Sequence, residues 1–308
     1  MKLLKEYKKD LLDCYLSMHW SQWNSLGVQT HIQKFKHVID IEALIISTFF
    51  AGSIDKRLFL AMVEWIELNR EWVSLSRIKN ILKKFGAKLE GEAILKNGNL
   101  LIKILNPGSI NSNRMKNVDN QYLDIFAGYK KRGIVQSIVF NKNQSLQLNL
   151  RSIFGVNARA DIVLFLLAEK KQNANKIASE IYYDQKIVYH VLKKWELSGF
   201  VRKEIQGKEK LYSLEGVKSL AGEFNRRNMQ FINRPIIFFT LGRIISILHS
   251  PKVQNDVYLI SSQLRKIYPE IVRVSNYINL ILENESNYPG EELFYYLKDK
   301  LIKIFKSV

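Results

Sequence analysis

The stretch at 157–214 constrains the fold more than any other, because it carries start and stop signals for five successive elements. Residues 160–170 are dense in apolar side chains and lack Gly and Pro, which predicts a helix. Asn157 sits where a cap belongs, and Asp161 lies near the positive end of the helix dipole. A shorter helix is expected over 174–181, capped by Asn173, with Ile177, Ala178 and Ile181 on one face. A tight turn through Tyr182, Tyr183 and Asp184 follows, and Asp184 caps a third helix that runs to about Leu197. Val188, Leu192 and Trp195 are spaced by four and three, so they share its buried face. That leaves Lys186, Tyr189, His190, Lys193 and Lys194 on or near the open side. Gly199 ends the helix as a residue just past the C-cap. Residues 200–205 and 210–214 then read as two short strands, with Gly207 in the turn between them.

This order, three helices and a β-hairpin, is that of a winged helix-turn-helix. An exposed helix face that mixes cations with Tyr and His suits the major groove of duplex DNA, where side chains reach base edges. The hairpin carries Arg202, Lys203, Lys208 and Lys210, placed for phosphates. The run IASEIYYDQKIVYHVLKKWELSGFV resembles the ArsR/MarR-like winged-helix regulators, as do the Phe154-Gly155 step and the Ala158-Arg159-Ala160 entry. The resemblance is limited to about 153–216. It implies a DNA-binding transcriptional regulator in which Lys186, Tyr189, His190 and Lys193 face bases or phosphates. No cysteine metal-sensing motif lies on these helices, so the metal-sensing branch of that family is not supported.

Charge points the same way. The chain has 308 residues and a formal net charge of +18, with a pI near 9.7. Such a balance favours an anionic partner, nucleic acid first and an anionic membrane surface second. A Lys-rich compositional bias would raise Glu together with Lys, so it does not account for the imbalance. One cysteine, Cys14, forms no intrachain disulfide, and Lys5, Glu6, Lys8, Lys9 and Asp10 interrupt any apolar leader. The most apolar run, 231–249, is broken by Arg234 and Arg243, so no membrane span is expected. The expected location is cytoplasmic.

Helical periodicity dominates on both sides of this segment. A basic amphipathic helix is expected over 3–18, followed by a less regular segment with Trp20 and Trp23. An apolar helix over 38–50 is closed by Gly52, and a helix over 55–72 aligns Leu58, Met62, Trp65 and Trp72. Ser74 caps another, with Leu75, Ile78, Leu82 and Phe85 inward and Gly86 at its end. Residues 93–105 read as a hairpin around Asn97-Gly98 or as a strand and a short helix. Residues 106–120 form a linker rich in Asn, Ser, Pro and Gly, and 122–129 are helical. Residues 133–150 supply a strand or an extended connection. After the hairpin come helices over 216–227, ending in Arg226-Arg227, and then from Pro235, over 257–267, 271–283 and 291–305. Their apolar stripes suit packing on the N-terminal helices or on a second copy of the chain.

No catalytic or ligand-binding motif stands out in the sequence. His19, His31, His37, His190 and His249 show no zinc-ligand spacing, and no phosphate-cradling glycine loop or G-x-S-x-G elbow occurs. Glu64, Glu67 and Glu71 share one helix face and read as solvated. Gly52-Ser53 followed by Asp55 resembles the pattern of minimal nucleotidyltransferases, but the second carboxylate needed for two metal ions is missing. Ser53 instead reads as a helix cap and Asp55 as a first-turn carboxylate. The expectation is therefore a mainly α protein with no enzymatic activity, no cofactor and no metal. It consists of an N-terminal helical domain (1–105), a connection (106–152), a winged helix-turn-helix domain (153–216) and a C-terminal helical domain (217–308). Its partner is double-stranded DNA, with a homodimer formed through the helical regions and a protein partner or small effector left open. The alternative is a non-catalytic subunit of a larger assembly, in which the winged helix docks a protein.

Overall fold

A computed structural model describes residues 2–32, 35–86, 101, 105, 130–138, 140, 143–215, 230–253 and 255–307. The expectations for 93–100, 106–120, 122–129 and 216–227, including Arg226-Arg227, lie outside these residues. The described chain is mainly helical, with one small three-stranded antiparallel sheet.

The N-terminal helices are α1 (Lys2–Ser25), α2 (Ile41–Ala51), α3 (Lys56–Asn69) and α4 (Leu75–Gly86). α1 runs past 18 and takes in both tryptophans, because nothing breaks it before Gly27. Each indole N–H has a partner: Trp20 donates to Asp55 at 3.1 Å and Trp23 to Thr48 at 2.9 Å. Gly27 is required where the helix ends. Its φ is +99°, and a Cβ there would stand 2.6 Å from the Gln136 carbonyl oxygen. That close approach lets Val28 bridge Val135, which is all the strand pairing found among the described residues of 133–150. α2 begins at Ile41, since the Asp40 carboxylate caps it by accepting from Ala43 N. α3 is capped by Asp55, which accepts from the backbone of Arg57 and Leu58, while the Ser53 hydroxyl donates back to the Phe50 carbonyl. The expected roles of Ser53 and Asp55 are thus corrected: the carboxylate is the cap. Trp72 lies on a separate 3-10 turn (Arg70–Trp72), so it leaves the α3 stripe.

Glu64 also departs from expectation. It is buried, and its carboxylate accepts from the backbone N–H of Arg132 and Ile134, both at 2.9 Å. It therefore pins the 130–138 segment, while Glu67 and Glu71 stay exposed.

Next come α5 (Leu146–Phe154), α6 (Ala158–Glu169), β1 (Lys171–Asn173), α7 (Ala174–Ile181), α8 (Gln185–Leu197), β2 (Val201–Gln206) and β3 (Glu209–Leu214). The expected extended connection before this unit is in part the helix α5. Strand order is β1-β3-β2, with Lys171 opposite Ser213 and Val201 opposite Leu214. Ile162, Phe165, Ile177, Ile181, Val188, Leu192, Val201 and Tyr212 form its core. Leu146 and Leu150 of α5 meet Ala160, Val163 and Leu167 of α6 in a second, smaller cluster.

The C-terminal helices are α9 (Arg234–His249), α10 (Val257–Lys266), α11 (Tyr268–Asn276) and α12 (Glu292–Ser307). α11 stops well before 283, in a turn that brings Asn279 to a φ of +55°. α9 packs on α2, and α1 packs on both α9 and α12, so the N- and C-terminal helices share one apolar core.

A buried ionic network joins this core to the middle unit. The Glu42 carboxylate accepts from Arg151 of α5, from Arg77 of α4 and from the Ser74 backbone, at 2.7 to 2.8 Å. Arg77 also grips Asp40 through two bonds of 2.6 Å and donates to the Ile181 carbonyl at 2.9 Å. Arg151 reaches Asp161 of α6 at 3.5 Å and the Trp72 carbonyl at 2.6 Å. Burial pushes the Glu42 carboxyl upward, but Arg151 and Arg77 outweigh it and hold it well below the ordinary carboxylate range. Asp161, expected as a dipole carboxylate, is a buried member of this network. Removing one partner of such a network strands charge away from water. Glu42→Ala should therefore lower stability by about 3–5 kcal/mol, read from the urea midpoint by circular dichroism. A loss within about 0.5 kcal/mol, as for a surface change, would show that the network is not stabilising the fold.

Candidate nucleic-acid interface

The local sequence builds the exposed face of α8 by stopping and restarting the chain sharply. The α7 cap Asn173 accepts from Lys176 N at 2.8 Å. Tyr182 ends α7 with a left-handed φ of +62°, an unfavourable conformation for a side chain of that size. Its surroundings hold it there: the ring is buried, the hydroxyl donates to Asn233 at 2.8 Å and the carbonyl accepts from Asn80 at 3.0 Å. Asp184 then caps α8 by accepting from Lys186 N at 2.8 Å. At the far end Gly199 takes a φ of +72°, and the chain turns into β2.

Val188 and Leu192 are buried in the unit's core and Trp195 is half-buried. Lys186, Tyr189, His190, Lys193 and Lys194 are all exposed, and spacings of three and four bring the first four onto one face. The rings of Tyr189 and His190 stand 6.0 Å apart in an edge-on arrangement. On the hairpin, Arg202, Lys208 and Lys210 are exposed as well. Lys203 is different. Its ammonium pairs with Glu196 at the end of α8, and this bond raises its pKa. The pair ties hairpin to helix, so Lys203 is committed within the protein. Arg202 lies 3.6 Å from Glu204, which also pairs with Lys171 at 2.6 Å.

The face is cationic only locally. Residues 158–215 hold eleven Lys and Arg against eight Asp and Glu, so most of the chain's excess positive charge lies elsewhere. Three apolar side chains also break the surface. Ile187 is 50%, Leu197 82% and Ile205 69% exposed. Ile187 and Leu197 fall off the Val188–Leu192–Trp195 stripe of α8, which is the sequence signal that marks them, while Ile205 lies on β2. Lys171 is a further neighbour of the hairpin, hidden in the sequence because the three-residue β1 has no strand-like pattern.

Other candidate chemistry resolves into structure. Among the described residues, no group of three or more His, Cys, Asp and Glu is arranged to hold a metal. None of their helices is long and apolar enough to cross a membrane. A Ser–His contact does exist: the Ser47 hydroxyl lies 2.7 Å from His19 Nε2. His19 Nδ1, however, faces the Tyr15 carbonyl at 2.7 Å, and that oxygen only accepts, so Nδ1 carries the proton. Nε2 then accepts from Ser47. Both residues are buried, and the His19 ring lies 5.2 Å from that of Phe238. This is a core hydrogen-bond chain.

Compared with known proteins, the chain matches no family model, no curated protein and no solved structure.

The buried His19 makes folding sensitive to acid. Burial lowers its pKa to about 4, against the opposing hydrogen bond to Tyr15. The unfolded chain binds the proton from about pH 6.5 downward and the folded chain only near 4, so stability is full above 6.5 and falls through that window. Between pH 7 and pH 5 this residue should cost about 2 kcal/mol. His19→Gln should lose that much less stability over the same interval, measured by urea unfolding at both pH values. Equal losses in the two proteins would assign the acid sensitivity to other groups.

Proposed function

We propose that residues 158–214 form a winged helix-turn-helix that binds duplex DNA, and that the protein is a DNA-binding regulator. The observation that carries this reading is the single exposed face of α8 holding Lys186, Tyr189, His190 and Lys193, flanked by Arg202, Lys208 and Lys210 on the hairpin. A helix of this length enters the major groove, and an adjacent hairpin reaches the flanking backbone. Cations neutralise phosphates and release counterions, which gives affinity without sequence preference. Tyr189 and His190 offer a hydroxyl and ring nitrogens for base edges, and those contacts supply preference. Because the unit is close to charge balance, binding rests on where these side chains stand and not on net charge.

A second reading has its own observation. The exposed Ile187, Leu197 and Ile205 beside the same face suit a protein surface better than a phosphate backbone. In that case the unit docks a protein within a larger assembly.

Titration of random duplex DNA, and of DNA from upstream of the protein's own gene, against rising salt separates the two. Lys193→Ala combined with Lys208→Ala should weaken binding to all duplexes and flatten the slope of log K against log salt by about two units. An unchanged slope would remove α8 and the hairpin from the phosphate contacts. Tyr189→Ala or His190→Ala should instead erode sequence preference by about 1–3 kcal/mol, measured as the ratio of affinities for preferred and random duplexes. An equal fall on every duplex would make these residues positioning groups, and no duplex binding at all would leave the protein-docking reading.

A further inference from the structure

The turn between α7 and α8 is not held by the middle unit alone. Three carbonyls at the end of α7 and just past it accept from side chains of α4. Ser179 accepts from Lys84 at 2.8 Å, Ile181 from Arg77 at 2.9 Å and Tyr182 from Asn80 at 3.0 Å. The last carbonyls of a helix lack partners within it, and cationic donors suit them. Positions 77, 80 and 84 are spaced by three and four, so one face of α4 makes all three bonds. α4 is thereby fixed in register against the start of α8.

Next to that face, Lys79 and Lys83 are exposed and stand one helical turn apart. Among the described residues, no carboxylate forms an ion pair with either. α4 carries four cations and no Asp or Glu. An open cleft of about 440 Å³ lies where α4 meets the turn, and Asn80, Lys83, Lys84, Ser179, Tyr182 and Asp184 belong to its lining. Asp184 is the carboxylate of this lining, and it is committed to capping α8 through Lys186 N. Lys84 is occupied too, by the Ser179 carbonyl and by the Tyr182 ring, whose centre lies 4.7 Å away. The outward cations at this junction are therefore Lys79 and Lys83.

We infer that the DNA-binding surface continues from α8 onto α4, where Lys79 and Lys83 contact phosphates of the strand that passes the α7–α8 turn. This rests on the proposal that α8 and the hairpin meet duplex DNA. A recognition helix places its N-terminal residues on base edges, while the helix before it crosses the backbone. The strand bordering the groove therefore runs past the turn to which α4 is fastened. Exposure decides the chemistry of the partner. Exposed ammonium groups hold a small free anion weakly, because water and salt compete for them. A nucleic-acid backbone brings successive phosphates and releases a counterion at each contact. Like charges one turn apart disfavour each other, and phosphates set between them relieve that repulsion. The middle unit is close to charge balance, and α4 supplies cations that it lacks.

The test uses the full chain and the same salt titration. Lys79→Gln with Lys83→Gln should flatten the slope of log K against log salt by about two units. At about 100 mM salt it should weaken binding about tenfold or more, equally on preferred and random duplexes. Lys303→Gln with Lys306→Gln, at exposed positions of α12, removes the same charge elsewhere and should leave the slope unchanged. The Lys193→Ala, Lys208→Ala protein separates the inference from its premise. A flattened slope in that protein, with an unchanged slope in the Lys79→Gln, Lys83→Gln protein, would confine DNA to the middle unit and overturn the inference alone. Equal flattening in the α12 variant would overturn it as well, by assigning the effect to net charge. No duplex binding by the full chain would overturn the inference together with its premise.

Discussion

The architecture turns on one carboxylate, Glu42, placed where water does not reach. An ion in such a position is tolerated only when surrounding groups replace its hydration almost completely. Here two guanidinium groups and a backbone N–H do so, and they arrive from α4, from α5 and from Ser74 just before α4. The same guanidinium groups continue to Asp40, to Asp161 of α6 and to the Ile181 carbonyl that precedes α8. Apolar packing is forgiving about angle, but charge-assisted hydrogen bonds near 2.7 Å are not. The middle unit is thus set against the helical core at a defined angle, and the exposed face of α8 inherits that orientation.

What the sequence made legible was local. Asn157, Asn173 and Asp184 all cap as their types and positions suggest, because a cap involves only its next few residues. Gly199 and Gly207 turn the chain where expected, since their positive φ is a property of the turn itself. Long-range partnership was the hidden part. Glu64 and Glu67 are alike in sequence, yet one binds the backbone of the 130–138 segment and the other faces solvent. Trp20 and Trp23 gave no sign that Asp55 and Thr48 would complete their hydrogen bonds and let α1 continue. β1 is defined by its pairing with β3 and by nothing in its own three residues.

The candidate site divides along the same line. Which residues of α8 face outward followed from spacing, because the core stripe Val188, Leu192 and Trp195 fixes the opposite side. Whether a given cation is available did not follow. Lys203 and Lys208 look equivalent on paper, and a carboxylate seven residues before Lys203 occupies it while Lys208 stays exposed. The exposed apolar residues Ile187, Leu197 and Ile205 similarly give the surface a mixed character that net charge conceals.

The shared core of the N- and C-terminal helices has a temporal side. α2 and α9 are neighbours in space, but the whole middle unit lies between them in the chain. During translation, the apolar faces of α1 to α4 emerge long before the helices that cover them. At ordinary elongation rates of about 5–20 residues per second, the wait from α4 to α9 lasts roughly ten to thirty seconds. The middle unit has its own apolar cluster, so it is able to condense while the first helices are still uncovered. The nascent chain therefore passes through a stage with a finished centre and an open flank, and it is at this stage that chaperone binding or premature self-association would act on it.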